Sequence, residues 1–256
     1  MPPTLNVYAL PELAEPEELA GGIAVVIDVL RASTTIVYAL EAGAREVIPV
    51  VKVDQAREIA EQFPPDEVVL GGERNGLRIE GFELGNSPTE YAASRVARRT
   101  VVFTTTNGTR AMHRARAAER ILIGAFVNAT AIVEELVDQE QIHLICSGTR
   151  GEAGQDDLLL AGMLVERIRQ RGGLVYEQNA RAISTRQTWL EAFALPQALG
   201  GEPLQPERLA EQLRKSIGGR NLARIGLEAD ILAAAGIDLF RGVPEFDPEK
   251  SRIRLV

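Results

Sequence analysis

The sequence predicts an α/β protein with three layers, in which a largely parallel sheet lies between two layers of helices. Short runs rich in Val, Ile and Leu alternate with segments of helical spacing from the start of the chain to about residue 180. This alternation is typical of β–α–β units, whose strands pair in parallel and whose helices cover both faces of the sheet. The composition, 45% hydrophobic and 25% charged, is that of a folded globular protein.

Eight strands are predicted from apolar runs bounded by turn residues. In chain order these are VYAL, IAVVIDVL, EVIPVV, EVVL, TVVF, RILI, IHLIC and GLVYE. Helices are predicted between them, where apolar side chains recur on one helix face over residues 56–63, 132–137 and 160–168. Ser87 to Glu90 has the form of a capping box with proline at the first helical position, which predicts a helix from there toward Arg98.

The segment from Pro196 to Pro206 is the clear Gly- and Pro-rich interruption of the pattern, and a further helix is predicted after it over residues 209–217. We interpret the interruption as a surface loop, because the roughly 50 residues beyond it are few for an independent core. The prediction is therefore one domain over residues 1–256, with a subdivision near 180–206 as the alternative.

Cysteine content and charge restrict the environment and the partners. The single Cys146 excludes an intrachain disulfide and a multi-cysteine zinc site, which favours a reducing compartment, and we expect the cytoplasm. The longest apolar stretch, Ile23 to Leu30, contains Asp28 and is shorter than the ~20 residues that a membrane helix needs. A net charge of −8 disfavours binding to nucleic acids or anionic membranes. An anionic small molecule would need a local site of backbone amides, arginines or a metal ion.

Chemistry is expected in four loops that follow predicted strands, because ligands of open α/β sheets bind beyond the carboxyl ends of the strands. The loops are Asp28–Thr35, Gly71–Gly76, Thr104–Thr109 and Ser147–Asp157. Free backbone N–H groups and the helix dipole attract oxyanions before a helix, while Gly, Ser, Thr and Asn allow close approach and donate hydrogen bonds. Together they predict a cradle of phosphate size.

Four carboxylates fall in the same loops, at Asp28, Glu73, Asp156 and Asp157. Beside an anion they are unfavourable unless a divalent cation lies between them, and Mg²⁺ binds one or two carboxylates, several waters and phosphate oxygens. Simpler interpretations stay open. Ser, Thr and Asp before a helix are ordinary caps, Asp156 and Asp157 could complement a helix dipole, and Asp28 could pair with Arg31.

Five segments follow one another in an order that is typical of a known family. They are VVIDVLRASTT (25–35), GGERNG (71–76), GFELGNSP (81–88), TTTNGTRA (104–111) and CSGTRGEAGQDDLLLAG (146–162). In these the chain resembles the ComB-like 2-phosphosulfolactate phosphatases over residues 23 to about 170. It departs from the family pattern at Asp156, where the family has glutamate, so that the charge is kept and the reach is shorter.

The resemblance implies a ComB-like α/β fold and the Mg²⁺-dependent hydrolysis of 2-phospho-3-sulfolactate to 3-sulfolactate and phosphate, a step associated with coenzyme M biosynthesis. The substrate partner would be a small phosphorylated and sulfonated molecule. Three alternatives stay open, namely a phosphatase of another small phosphorylated hydroxy acid, a non-catalytic anion-binding or regulatory protein, and an enzyme that transfers the phosphoryl group to an acceptor other than water. Several carboxylates at the strand ends argue against the second, because an anion binder would gain from their removal. A homodimer is expected only from the prevalence of two-fold oligomers.

Roles for single residues follow as hypotheses. Asp28 and Arg31 would be catalytic, and Asp28, Glu73 and Asp157 would hold or position Mg²⁺. Water or Asp28 itself would be the nucleophile. The candidate substrate-binding residues are Ser33, Thr34, Arg74, Asn86, Thr105, Thr106, Asn107, Gly108, Thr109, Ser147 and Gly148.

Overall fold

Eleven strands form one sheet in the computed structural model of the chain, which describes residues 2–194 and 204–256. The strands are β1 (Thr4–Tyr8), β2 (Ile23–Ile27), β3 (Glu46–Pro49), β4 (Val68–Arg74), β5 (Leu77–Arg78), β6 (Thr100–Thr104), β7 (Arg120–Gly124), β8 (Gln141–Cys146), β9 (Glu177–Gln178), β10 (Pro244–Asp247) and β11 (Arg252–Leu255). Their order across the sheet is β5-β4-β6-β3-β11-β10-β7-β2-β8-β1-β9.

Helices connect the strands and continue beyond them. They are α1 (Pro16–Leu19), α2 (Ala32–Glu41), α3 (Val53–Ala60), α4 (Ala93–Val96), α5 (Gly108–Arg114), α6 (Ala129–Leu136), α7 (Gln155–Arg171), α8 (Ala180–Trp189), α9 (Pro206–Leu213), α10 (Ile217–Arg224) and α11 (Glu228–Ala234). Within the described ranges, no helix is both long and apolar enough to cross a membrane.

The central strand β2 is buried on both faces. Val25 and Ile27 pack with α6, α7 and α8, whereas Ala24 and Val26 pack with α2 and α5 on the other side. Successive side chains of a strand point to opposite faces, so a strand between two helical layers is apolar throughout. The continuous apolar run at residues 23–27 thus results from burial of β2 on both faces. The predicted three-layer α/β/α fold is confirmed.

The sheet consists of two parallel blocks with an antiparallel hairpin between them. One block contains β4, β6 and β3, the other contains β7, β2, β8, β1 and β9, and the hairpin β10–β11 pairs with β3 on one side and β7 on the other. Helix α2 contacts both β3 and β7, and α5 contacts β2. Both blocks therefore share one core, which brings the ends of β2 and β6 close together.

Several local predictions were wrong. Of the run GLVYE at residues 173–177, only Glu177 belongs to a strand, β9, and the hairpin β10–β11 was not predicted. The predicted helix from Ser87 is a short 3₁₀ turn at Pro88–Glu90 followed by the four-residue α4. Ser87 does not cap it, because its hydroxyl donates to Asp230 instead. Residues 196–203 of the Gly- and Pro-rich segment lie outside the described residues.

Candidate active site

The four predicted loops meet around one cavity of about 90 Å³. Asp28, Leu30 and Arg31 follow β2. Glu73 lies near the end of β4, and Asn75 and Gly76 form the turn after it. Thr105 to Asn107 follow β6, and Thr149 and Arg150 follow β8. Asn86 and one face of α10 complete the wall, the latter through Gly218, Asn221, Leu222, Arg224 and Ile225.

Asp28 is the carboxyl group of the cavity wall that burial perturbs most clearly. It directly follows β2 and is 7% exposed. Its backbone N–H donates to the Ser33 hydroxyl at 2.9 Å, and its Oδ1 accepts from the Ala32 N–H at 3.3 Å. Burial raises the pKa of Asp28 to about 7, and the charges of Asp156 and Glu73 add to the rise, while the Ala32 N–H and Arg31 oppose it. Such a group can exchange a proton near neutral pH or bind a cation as the carboxylate.

Arg31 is buried beside Asp28 but does not pair with it. Its Nη1 lies 2.6 Å from Oδ2 of Asp230, and its Nη2 donates to the Gly76 carbonyl at 2.8 Å. The ion pair of Asp28 with Arg31, left open as a simpler interpretation, is therefore not the one that forms. The remaining N–H groups of a guanidinium, which has five in all, are available to a ligand in the cavity.

Glu73 links two of the loops. Its Oε1 accepts from both the backbone N–H and the hydroxyl of Thr106, each at 2.8 Å, and its Oε2 accepts from the Gly76 N–H at 2.7 Å. Each carboxylate oxygen thus already accepts a backbone hydrogen bond. This geometry favours a role in positioning the β6–α5 loop over direct ligation of a metal ion.

Asp157 makes a similar link from the first turn of α7. Its Oδ1 accepts from the Val29 N–H at 2.8 Å, and its Oδ2 accepts from the Gly148 N–H at 3.0 Å. These bonds join the loops after β2 and β8. Burial raises the pKa of Asp157 well above its usual range, and the neighbouring charges of Asp156 and Asp28 raise it further.

Asp156 is a candidate that the residue hypotheses left out. It is buried, and its Oδ1 has no hydrogen-bond partner among the described residues. Burial raises the pKa of Asp156 to about 6, against which hydrogen bonds from backbone amides and Ser216 act. A buried carboxylate oxygen without a partner is costly, which points to a ligand. The sequence alone does not indicate which of two adjacent acidic residues at the start of a helix will have an oxygen without a hydrogen-bond partner.

A divalent cation would need oxygen ligands that lie close to one another in the site. In the part of the chain that the structure describes, no three His, Cys, Asp or Glu side chains form a group that could hold a metal ion. Asp28, Glu73 and Asp157 are therefore not gathered as a three-ligand centre. Mg²⁺ needs only one or two carboxylates when water and phosphate supply the other oxygens. Asp28 lines the cavity and meets that requirement. Asp156 does not line the cavity, but its charge acts on Asp28 and its Oδ1 has no partner among the described residues, so it is the candidate for the second ligand.

Four of the candidate substrate-binding residues line the cavity, namely Asn86, Thr105, Thr106 and Asn107. Asn86 is the most informative of them, because its side-chain oxygen is buried and has no hydrogen-bond partner among the described residues. Its backbone carbonyl accepts from the Thr35 hydroxyl at 2.9 Å, which fixes the residue in place. A ligand that donates a hydrogen bond would satisfy this oxygen.

The other candidates lie behind the cavity wall. The hydroxyls of Ser33 and Thr34 are fully buried and donate to the carbonyls of Val26 and Val29, so they hold the start of α2 rather than face a ligand. Arg74 is turned away, because its guanidinium donates to the carbonyls of Glu73 and Val51 and to the Thr104 hydroxyl.

Three of the remaining residues shape the loops. A Cβ on Gly108 would lie 2.8 Å from Cβ of Ala32 and 2.9 Å from Oδ2 of Asp28, so glycine allows this loop to approach Asp28. Thr109 is buried behind it, with its hydroxyl 3.5 Å from that of Thr105. Gly148 has a φ of +64° and donates its N–H to Asp157.

Ser147, the last candidate, is buried, and its hydroxyl has no hydrogen-bond partner within the described ranges. Its backbone N–H donates to the Ile27 carbonyl at 2.8 Å, so its main chain continues the pairing of β8 with β2. The main chain of Ser147 is thus used by the fold, whereas its hydroxyl is not.

Comparisons with known proteins agree with these motifs. A family model described as 2-phosphosulpholactate phosphatase matches residues 8–249. A probable 2-phosphosulfolactate phosphatase of Symbiobacterium thermophilum is 39% identical over 231 residues, which is 90% of this chain and 93% of the relative. Its counterpart in Deinococcus radiodurans is 39% identical over 95% of this chain and 93% of the relative, and that of Thermotoga petrophila is 38% identical over 86% and 87%.

Proposed function

The chain belongs to the 2-phosphosulfolactate phosphatase family, a family of phosphoric monoester hydrolases, and on that premise we propose that it hydrolyses 2-phospho-3-sulfolactate to 3-sulfolactate and phosphate with Mg²⁺. The observation that carries the proposal is the composition of the cavity wall. It combines Asp28, a carboxyl with a pKa of about 7, with the cationic Arg31 and a loop of small polar residues. These are the groups that transfer of a phosphoryl group to water requires.

The phosphoryl oxygens would be bound by the loop Thr105–Asn107 together with Asn86 and Arg31. The loop lies directly before α5, and its backbone is held by Glu73 through Thr106. Asn86 would donate from its side-chain NH2 group, and Arg31 would supply positive charge whose effect increases as negative charge builds on the phosphoryl oxygens. Preorganisation of these donors lowers the barrier because they need not reorient during the reaction.

A second anionic group of the substrate would be bound at the mouth of the cavity. Arg150 and Arg224, both exposed, line it from opposite elements, and Asn221 lies one turn before Arg224 on α10. Arginine binds the oxygens of carboxylates and sulfonates through two parallel hydrogen bonds. A doubly or triply charged substrate such as a phosphorylated sulfonic acid would therefore be favoured over a simple phosphoester.

Asp28 and Asp156 would hold the cation, and Glu73 and Asp157 would fix the loops around it. Bound Mg²⁺ would supply positive charge that neutralises the phosphoryl oxygens and favours ionisation of the attacking water. In the hydrolytic step water attacks phosphorus in line, the bond from phosphorus to the substrate's ester oxygen breaks, and that oxygen takes up a proton to become the hydroxyl of 3-sulfolactate. The proton that the attacking water loses would pass through solvent to the departing ester oxygen, because Asp28 would bind the cation as the carboxylate.

The test is phosphate release from racemic phosphosulfolactate, with phospholactate and phosphoglycolate for comparison, in Mg²⁺ and in EDTA. We expect metal-dependent turnover that is selective for phosphosulfolactate and falls by about 10³-fold or more in Asp28→Asn. Asp66→Asn, in an exposed turn just before β4 and so at the end of that strand opposite to Glu73, is the matched control and should keep full turnover. Selectivity for phospholactate would instead indicate another hydroxy acid, and a folded protein without turnover on any phosphoester would favour an anion-binding protein.

The nucleophile is tested separately. Attack by Asp28 would form an acyl phosphate on its carboxyl, which rapid acid quenching with a labelled substrate would trap. Direct attack by water predicts no label on wild-type protein. Label on wild type that is absent from Asp28→Asn would establish the covalent route.

A further inference from the structure

Asp230, on α11, joins two residues of the cavity wall region that are far from it in sequence. Its Oδ2 lies 2.6 Å from Nη1 of Arg31, and its Oδ1 accepts a hydrogen bond from the hydroxyl of Ser87, the neighbour of Asn86. Asp230 and Arg31 are only 2% and 4% exposed. The pair is thus withdrawn from solvent, although Arg31 faces the cavity on another side.

Without Asp230, Arg31 would be left with the carboxyl groups of Asp28 and Glu73 on the same cavity wall. The charge of Arg31 already acts on Asp28, and Glu73 lies on the same cavity wall. A buried guanidinium with no dedicated partner would be attracted to one of these carboxylates, because opposite charges interact strongly where water is excluded. Such an ion pair would withdraw the Arg31 guanidinium from the site that binds the anionic substrate, and it would also occupy the carboxylate.

We infer that Asp230 is a positioning residue, which holds the Arg31 guanidinium apart from Asp28 and Glu73. Arg31 then remains available to the phosphorylated substrate, and the two carboxylates keep their own roles. The inference rests on the proposed function for the identity of that substrate. It also gives α11 a part in the site, since the bond to Ser87 fixes the segment that carries Asn86. Gly76 completes the arrangement by accepting the second hydrogen bond of Arg31 at 2.8 Å.

A buried ion pair can also stabilise the fold. The experiment therefore measures the effect of Asp230 on kcat/KM separately from its effect on stability. We expect Asp230→Ala to lower kcat/KM for phosphosulfolactate by about 10- to 100-fold in protein that is fully folded at the assay temperature, as a small misplacement of a binding group does. Asp230→Asn keeps an acceptor for Arg31 and should recover most of the loss. Glu166→Ala, which breaks the partly buried Arg186–Glu166 pair between α7 and α8, is the control and should leave kcat/KM within about twofold.

A double-mutant cycle with Arg31→Ala gives the decisive comparison. If Asp230 acts through Arg31, adding Asp230→Ala to Arg31→Ala should change kcat/KM by less than about twofold. An equal loss in both backgrounds would overturn the inference, as would wild-type kcat/KM in Asp230→Ala. Should Asp230→Ala fail to fold, Asp230→Leu, which removes the acceptors of Arg31 but fills the space, replaces it in the same cycle.

Binding of inorganic phosphate, measured by calorimetry, separates this inference from the proposed function. If wild type released no phosphate from any phosphoester, the proposed function would fail while phosphate affinity still reported on Arg31. We expect Asp230→Ala to weaken phosphate binding by about 10-fold, and to have no further effect in Arg31→Ala. Unchanged phosphate affinity in Asp230→Ala would overturn the inference whatever the turnover.

Discussion

At the scale of single residues, the candidate site is distinguished by buried carboxyl groups whose pKa values are raised. Burial raises the pKa of Asp28 to about 7 and that of Asp156 to about 6, from an ordinary value of 3.8. Each group therefore binds its proton more tightly in the folded than in the unfolded chain. By linkage, the metal-free protein loses stability from these groups as the pH rises from about 4 to about 7.

Asp28→Asn should reduce this pH dependence. Because the substitution removes a buried charge, we expect the metal-free variant to be more stable than wild type at pH 8, by on the order of 2 kcal/mol, and close to wild type at pH 4. Thermal unfolding in EDTA across this range measures the difference. A variant that was less stable than wild type at pH 8 would contradict the assignment.

Gly108 is the second residue whose environment makes a sharp prediction. Its alanine variant would bring a methyl group within 3 Å of both Ala32 and Asp28, and we expect the β6–α5 loop to move and turnover to fall by about 10- to 100-fold. Gly81→Ala is a suitable control, since its φ of +81° costs stability but nothing lies within 4 Å of the added group. Steady-state kinetics and melting temperatures of both variants check the prediction. Equal loss of turnover in the two would attribute the effect to stability alone.

At the scale of elements, the hairpin β10–β11 joins the two blocks of the sheet. Phe246 and Ile253 are buried in the core that both blocks share. On β3, the buried carboxylate of Glu46 binds Arg252 and Arg254 of β11 at 3.0 and 2.6 Å. Because β11 lies between β3 and β10, its pairing with these two strands joins the two blocks of the sheet.

Truncation of one hairpin side chain tests this role. We expect Phe246→Ala to destabilise the protein by about 3–5 kcal/mol, the usual cost of a large cavity in a core. Leu255→Ala, on the partner strand but 40% exposed, should cost less than about 1 kcal/mol. Chemical denaturation of both variants provides the comparison, and similar losses would show that the hairpin does not anchor the core.

At the scale of the whole molecule, the shared core makes one cooperative unit the expected behaviour. Trp189, the single tryptophan, packs against Phe126 and Phe193 on the α7 and α8 side, with the block that contains β2. Its fluorescence therefore reports on one side of the sheet, whereas circular dichroism reports on all helices. The single domain over residues 1–256 remains a prediction, as do the homodimer and the cytoplasm.

The two probes distinguish one domain from two. We expect the unfolding midpoints from Trp189 fluorescence and from far-ultraviolet circular dichroism to coincide in chemical denaturation. Two separate transitions would instead indicate a subdivision, for which residues 180–206 are the predicted place. The Phe246→Ala variant should lower both midpoints together.

The sequence alone determined the fold class, the core strands and the four loops of the cavity. These features are local, because an apolar run, the turn after it and the start of the next helix are adjacent in the chain. Asp28, Glu73 and the segment Thr105–Asn107 could be selected in this way, since parallel strands bring their carboxyl-end loops together. The family resemblance rests on the same contiguous segments, and the family match confirms it.

Only the tertiary structure decided what each side chain does. Arg31 pairs with Asp230, 199 positions away, and α10 supplies a wall of the cavity from a part of the chain whose pattern carries no sign of it. Ser33, Thr34 and Arg74 have suitable chemistry but bond to the backbone behind the wall. The physical reason is that a side chain's direction and partners depend on the packing of elements distant in sequence, which no local pattern encodes.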